Sequence, residues 1–323
     1  MKLVKYFFGV SFTIIILILS WYNWASMPNL KKDDYAKIIV RDFFAPSTKD
    51  SIYSIVTYNI GYLSGMMNNK TALSKELFYE NLNSVKSNIQ KVDPHIIAFQ
   101  EIDFDADRSF NINQQLEIAD LGFNNIAQCV NWDERDVPFP YWPFSSHFGK
   151  VISGQSVLSN YDIIQQERNV LSRVANELFF RRMMYLDRLA QVVKIDIYGN
   201  ELIIINVHLE AFDKPTRLIQ TKEVVNIFNK YAVDYPVILL GDFNSDPSHK
   251  NATINEVLKL DNIAVANLPE TNYELTFTSD QPYERLDYIF YTPKSIKNES
   301  SRVLTEFGQA SDHLPQEMKF SFL

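Results

Sequence analysis

Short clusters of polar residues stand at the ends of apolar runs along this chain: Tyr58-Asn59, Gln100-Glu101, Asn206-Val207-His208, Gly241-Asp242-Phe243-Asn244, Leu286-Asp287-Tyr288 and Ser311-Asp312-His313. Loops at strand ends are where a rigid scaffold sets out chemical groups. Gathered in one place, the clusters bring the carboxylates of Glu101, Asp242, Asp287 and Asp312 together with the amides of Asn59 and Asn244 and the imidazoles of His208 and His313. So many like charges repel unless a cation sits among them. Hard oxygen ligands select magnesium, manganese or calcium over zinc. A phosphodiester is the substrate class that suits such a set, because the metal offsets phosphate charge and imidazoles can donate to the oxygens. Singly, each cluster has a plainer reading: a surface Glu after a strand, an Asp242 that only caps a turn, a structural His. All of those readings would have to hold independently for the set to carry no chemistry.

The elements that must position these groups can be read from hydrophobic period. Ile52 to Tyr58 alternates apolar and polar and runs into Asn59-Ile60-Gly61, a strand entering a loop. Leu73, Leu77, Leu82, Val85 and Ile89 have helical spacing and predict a helix over 71–91. His95 to Phe99 predicts a strand ending at Gln100-Glu101. Ala190 to Ile197 and Glu201 to Val207 form a hairpin turned at Tyr198-Gly199-Asn200. A helix from Pro215 to Tyr231 leads to a buried strand, Val237 to Leu240, and further strands are expected at Leu286 to Tyr291 and Met318 to Phe322. The pattern is one of mixed sheets with helices outside them, without repeats or low-complexity tracts. Trp132 to Phe144 stands apart as an aromatic segment whose three prolines forbid a regular helix. It reads as a loop, folded onto the core or else contacting substrate or membrane.

With 46% hydrophobic and 22% charged residues over 323 positions, the chain has the composition of a globular protein. A net charge of -8 argues against nonspecific coating of nucleic acid, although a local basic patch would still permit a nuclease. The lone Cys129 excludes an internal disulfide framework and any cysteine-rich zinc site.

Residues 1–27 carry Lys2 and Lys5 and then an apolar run from Tyr6 to Trp24, long enough to span a bilayer at about 20 residues. A cleaved secretory signal is the alternative. The exit, Trp21-Tyr22-Asn23-Trp24-Ala25-Ser26, resembles an interfacial aromatic belt more than a cleavage site. The basic flank keeps that end cytoplasmic and places the catalytic part outside the cytoplasm, or free in the periplasm or medium if the segment is cleaved. Residues 28–50 read as a linker, and 51–323 as one catalytic domain.

The ordered set Thr57-Tyr58-Asn59, Phe99-Gln100-Glu101-Ile102-Asp103, Asn206-Val207-His208-Leu209, Leu240-Gly241-Asp242-Phe243-Asn244, Arg285-Leu286-Asp287-Tyr288-Ile289 and Ser311-Asp312-His313-Leu314-Pro315 resembles the endonuclease/exonuclease/phosphatase superfamily, from about Ser51 onward. Gly154 to Ile163 resembles that family's central strand and turn. The resemblance implies an α/β four-layer αββα sandwich, two packed mixed sheets flanked by helices, and a Mg2+ or Mn2+ cofactor. It casts Glu101 as the principal metal ligand, with Asn59 beside it on metal or phosphate. Asp242 would orient or deprotonate the attacking water, and Asn244 would hold the phosphate. His208 and His313 would bracket the scissile phosphate, while Asp287 and Asp312 orient imidazoles or ligate metal. Arg217 is expected near the site as a substrate contact.

The family's chemistry does not name the substrate. The membrane segment and the acidic charge lean towards a lipid headgroup or small diester, with DNA or RNA as the alternative. A noncatalytic tethered binding module is the competing class, and it predicts losses from the polar set that the sequence does not have. Arg173, Arg181, Arg182 and Arg188 are further candidates for phosphate contact, or a solvated face. No protein partner can be inferred.

Overall fold

Alternation along the strands builds the architecture. In the computed structural model, which describes residues 2–41, 50–68, 70, 72–175, 177–269 and 272–323, an N-terminal helix α1 (Lys2–Ala25) precedes a two-sheet domain. The strands are β1 (Ala36–Val40), β2 (Tyr53–Asn59), β3 (Ile96–Ala106), β4 (Asn125–Val137), β5 (Gly149–Ser159), β6 (Asp162–Val170), β7 (Leu189–Ile197), β8 (Asn200–His208), β9 (Val237–Asp242), β10 (Ala264–Val265), β11 (Asp287–Tyr291), β12 (Ile296–Val303) and β13 (Gln316–Phe322). The helices after α1 are α2 (Lys75–Val92), α3 (Gln114–Ala119), α4 (Phe179–Met184), α5 (Lys214–Tyr231) and α6 (Asn255–Leu258). One sheet runs β1-β4-β5-β3-β2-β13-β12 and the other β10-β11-β9-β8-β7-β6. Both are mixed, since β2 with β3 and β8 with β9 pair in parallel among antiparallel neighbours.

Ile55 of β2, Ile96 and Ala98 of β3, Ile204 of β8, Ile238 and Leu240 of β9 and Ile289 of β11 fill the space between the sheets. Their neighbours of opposite parity, such as Val56, Tyr58, Ile97 and Phe99, meet Phe78, Leu82, Val85 and Ile89 of α2 on one outer face. On the other, Ile203, Ile205 and Leu239 meet Val224 and Phe228 of α5. These are the four layers expected, helices outside two sheets. Ser74 caps α2 by accepting from Leu77 N, and Asp213 caps α5 ahead of Pro215. Residue 71, where the first helix was expected to begin, lies outside the described residues.

Two expectations need correction. Residues 28–41 are not a free linker: Ala36–Val40 forms the edge strand β1, antiparallel to β4 with Ile38 opposite Ala127. Asp133 of β4 accepts from the backbone and side-chain amides of Asn29 at 2.8 and 2.9 Å, from Leu30 N at 2.9 Å and from Tyr35 Oη at 3.1 Å. The physical signal, Ala-Lys-Ile-Ile-Val, is a short apolar run set in a polar stretch. Residues 42–49 lie outside the described residues. Likewise, Trp132 to Val137 is the end of β4 rather than loop, and Trp132, Val137, Phe148 and Val151 pack together. Tyr141, Trp142 and Phe144 remain exposed.

Candidate active site

The same period-two alternation that fills the core also aims the site. Asn59 shares a strand face with Ile55, His208 with Ile204, Asp242 with Ile238 and Leu240, and Asp287 with Ile289. At one end of both sheets these side chains therefore point into the gap between them. Register completes the placement, because His208 and Asp287 each lie opposite Asp242 across the ladder. One layer deeper, Gln100 Nε2 donates to Asn206 Oδ1 at 2.7 Å and to Thr57 Oγ1 at 3.2 Å, and Asn206 Nδ2 donates to Phe99 O and Gln191 Oε1. This buried amide layer fastens one sheet to the other directly beneath the site.

Glu101 departs from the alternation. The β3–β5 register slips between Phe99 and Ile102, and Glu101 takes the left-handed conformation at φ 51°. A bulge of this kind re-aims a side chain at the cost of local strain. Gly241, at φ 129°, permits the corresponding approach in the second sheet, where a Cβ would stand 2.0 Å from Val207 O. Gly61 likewise leaves room for Ser311 Oγ and Asp312 Oδ1, which a Cβ would meet at 2.8 and 3.0 Å.

Asp242 is the centre of the arrangement. It is buried; its Oδ2 accepts from Asn59 Nδ2 at 3.0 Å and its Oδ1 from Asn244 N at 2.8 Å. His208 Nε2 stands 3.6 Å from Oδ2 and His313 Nε2 3.9 Å. Burial pushes its carboxyl up to about 7, with His313 pulling the other way and Asp287 adding to the rise. His313 Nδ1 bonds Asp287 Oδ2 at 2.9 Å. Burial works against charging this imidazole, but Asp287, then Asp242 and Asp312, outweigh it and hold His313 well above its ordinary value.

His208 goes the opposite way. Burial, Arg188 and His313 together hold it well below the ordinary histidine value, so its approaches to Asp242 and, at 3.7 Å, to Glu101 Oε1 are not ion pairs. Arg188 Nη1 lies 2.6 Å from His208 Nε2. A guanidinium can only donate, so Nε2 accepts and the ring proton sits on Nδ1. Arg188 also donates to Tyr185 Oη at 3.1 Å, and Tyr185 in turn donates to Glu210 Oε2 at 3.0 Å.

The site residues expected from the sequence thus converge, with differences in detail. Asn59 donates its amide to Asp242 and accepts from Gly61 N with Oδ1, which holds the carboxylate in place. Asn244 is held by its Nδ2 bond to Leu209 O. Arg217 was expected on substrate. Its Nη1 donates to Glu210 O and Ala211 O, clasping the loop after β8, where Asp242 lies within electrostatic reach. Of the four arginines, Arg173 pairs with Asp187 and Arg181 with Glu177, while Arg188 alone enters the site. Asn68, which donates to Glu101 Oε2 at 3.1 Å, was not foreseen and has no periodicity to betray it.

Glu101 is the residue best suited to a cation. Burial raises its carboxyl, and the neighbouring charge of Asp312 raises it further, against the help of His313 and Asn68. Two partly buried carboxylates in mutual repulsion fit a hard divalent ion. Asp242, Asp287 and His313 also present ligand atoms within 4.8 Å of one another. Within that trio His313 bonds Asp287, and Asp242 stands 3.9 Å from the other ring nitrogen.

The chain belongs to the Endonuclease/Exonuclease/phosphatase family, whose sequence model matches residues 56–313. Members of that family are hydrolases acting on phosphoester bonds. Among solved structures, the human Nocturnin catalytic domain is similar with a TM-score of 0.60 at 18% identity, covering 91% of this chain and 100% of that one. An endonuclease/exonuclease/phosphatase from Beutenbergia cavernae reaches 0.62 at 18% identity, over 84% and 72%. A mannosyl-6-phosphatase from Bacteroides thetaiotaomicron reaches 0.57 at 17%, over 84% and 100%. At such identities the likeness speaks for the fold. No curated protein matches the sequence.

Proposed function

We propose that this chain is a divalent-metal-dependent phosphoesterase, tethered to a membrane by α1, that hydrolyses a phosphodiester by attack of an activated water. The observation that carries the reading is one buried carboxylate, Asp242, 3.9 Å from the imidazole of His313, which Asp287 holds from its other ring nitrogen.

Asp242 is the base. Its raised carboxyl is poised near neutrality to take a proton from water, and Asn59 and Asn244 N fix its orientation. His313, kept protonated and aligned by Asp287, donates to a phosphoryl or leaving oxygen. Arg188 supplies fixed positive charge beside the phosphate, and neutral His208 carries its proton on Nδ1. Glu101 with Asp312 would hold Mg2+ or Mn2+, which when bound offsets the negative charge of the phosphate. The 24 residues of α1, with a candidate span from Val4 to Ala25, support a single-pass anchor with the domain outside the cytoplasm. The anchor and acidic charge favour a lipid or small diester.

The test is an assay of the full chain in detergent with magnesium or manganese against sphingomyelin vesicles, plasmid DNA, RNA and bis-p-nitrophenyl phosphate. Cleavage of one natural substrate, abolished by His313→Ala, is expected. Equal background rates of wild type and Asp242→Asn on all of them would sink the reading.

A further inference from the structure

We infer that the domain lies against the lipid bilayer through one defined face, made by the tip of the loop between β4 and β5 and by α4. The inference rests on α1 being a membrane anchor, but it concerns a different surface.

A helix of 24 residues is about 36 Å long at 1.5 Å per residue, against a hydrocarbon core of about 30 Å. Its last turn, with Tyr22 and Ala25, therefore reaches headgroup level. No slack follows. Ala25 is fully buried against the domain, and Asp133 pins Asn29 and Leu30 a few residues later. The domain must begin at the membrane surface, in a fixed orientation.

The helix exit then identifies which face looks down. Tyr22 Oη donates to Phe180 O, its ring stands 6.5 Å from that of Phe179, and Tyr141 is within its electrostatic reach. Two separate segments meet there with unusually bare apolar side chains. Leu178, Phe179 and Phe180 are 64, 64 and 53% exposed, and Tyr141, Trp142 and Phe144 are 66, 75 and 69% exposed. Single exposed apolar residues are ordinary, but a cluster of six beside a membrane-length helix is a contact surface. Aromatic rings favour the headgroup boundary, and Arg182 on α4, beside Arg181 in its pair with Glu177, adds positive charge that anionic headgroups attract. A protein partner would equally cover bare rings, but nothing would place it at the exit of α1.

The face is also close to the chemistry. Eight residues after Phe180, Arg188 contacts His208, so with α4 helical the separation is at most about 20 Å.

The experiment uses full-length protein in lipid nanodiscs, with Trp142→Cys, Phe179→Cys and, as control, Val233→Cys, each carrying an environment-sensitive fluorophore. Cys129 is buried and stays unlabelled. Val233 is 80% exposed and lies before β9, at the opposite end of the strands from Asp242. Nitroxide-labelled lipids should quench the labels at 142 and 179 several-fold more than the label at 233. Equal quenching at all three positions, whether strong or absent, would overturn the inference. Alkaline carbonate extraction of the unlabelled chain tests the anchor separately. Release from the membrane together with selective quenching would leave this face standing and remove only the anchor.

Discussion

Arg188 Nη1 lies 2.6 Å from His208 Nε2, both side chains buried, and because a guanidinium only donates, this contact favours a neutral His208 that accepts with Nε2. The charge of Arg188 also reaches Glu101, where it favours the ionised carboxylate. Arg188→Ala should lower kcat/KM on bis-p-nitrophenyl phosphate by about 10²–10³-fold, the range for removing one preorganised donor beside developing charge. Arg188→Lys should rescue little, because an ammonium cannot serve His208 and Tyr185 in the same fork geometry. Near-wild-type kinetics for the Lys variant would show that charge alone matters.

Glu101 and Asp312 repel each other across the site. Glu101→Gln should therefore raise the thermal midpoint in the presence of a chelator by about 2–4 °C, equivalent to roughly 1 kcal/mol in a domain of this size, while abolishing turnover. Added magnesium should stabilise the wild type and not the variant. Thermal scans with and without the ion check both halves.

Glu134 neighbours Asp133 on β4, and burial followed by the Asp133 charge pushes its carboxyl up to about 8. The folded protein thus keeps a proton that the unfolded chain releases near the ordinary 4.5. Its stability contribution is complete below that value and is lost as pH rises through about 8. Urea denaturation in detergent should show stability falling by on the order of a few kcal/mol across this window. Glu134→Gln should flatten the profile, and an unchanged slope would assign the titration elsewhere.

Asp133 gathers the amides of Asn29, the N–H of Leu30 and the hydroxyl of Tyr35. Asp133→Ala leaves those donors unpaired and should cost about 2–4 kcal/mol. It should also open residues 28–34 to protease, releasing the domain from α1 faster than in the wild type. Time courses of limited proteolysis in nanodiscs read this directly.

Much of the site could be read from residue type because strand alternation is local: the parity that buries Ile238 and Leu240 also aims Asp242. The parallel pairing of β8 and β9, which sets His208 opposite Asp242, has no local signal, and neither does the bulge that turns Glu101. Asn59 and Arg217 are legible as near the site, but the protein groups each one bonds belong to loops that come together only in the fold. Edge strand β1 was missed because five residues with one lysine carry too short an alternation, and β4 is what gives them a partner. The aromatic segment divides at Val137, where pairing to β5 ends.

Strand β2 sits in its sheet between β3, made soon after it, and β13, whose Gln316 pairs with Thr57. A chain emerging from the ribosome in order therefore has β2 waiting with one side unsatisfied through the synthesis of nearly everything else. His313 stands in the turn that leads into β13, and its partner Asp287 lies on β11 of the opposite sheet. Closing the sheet and completing the proton-handling pair are consequently a single late event. Until that closing strand slots in, His313 is not held against Asp287, so the order of synthesis itself leaves the pair incomplete in partly made molecules.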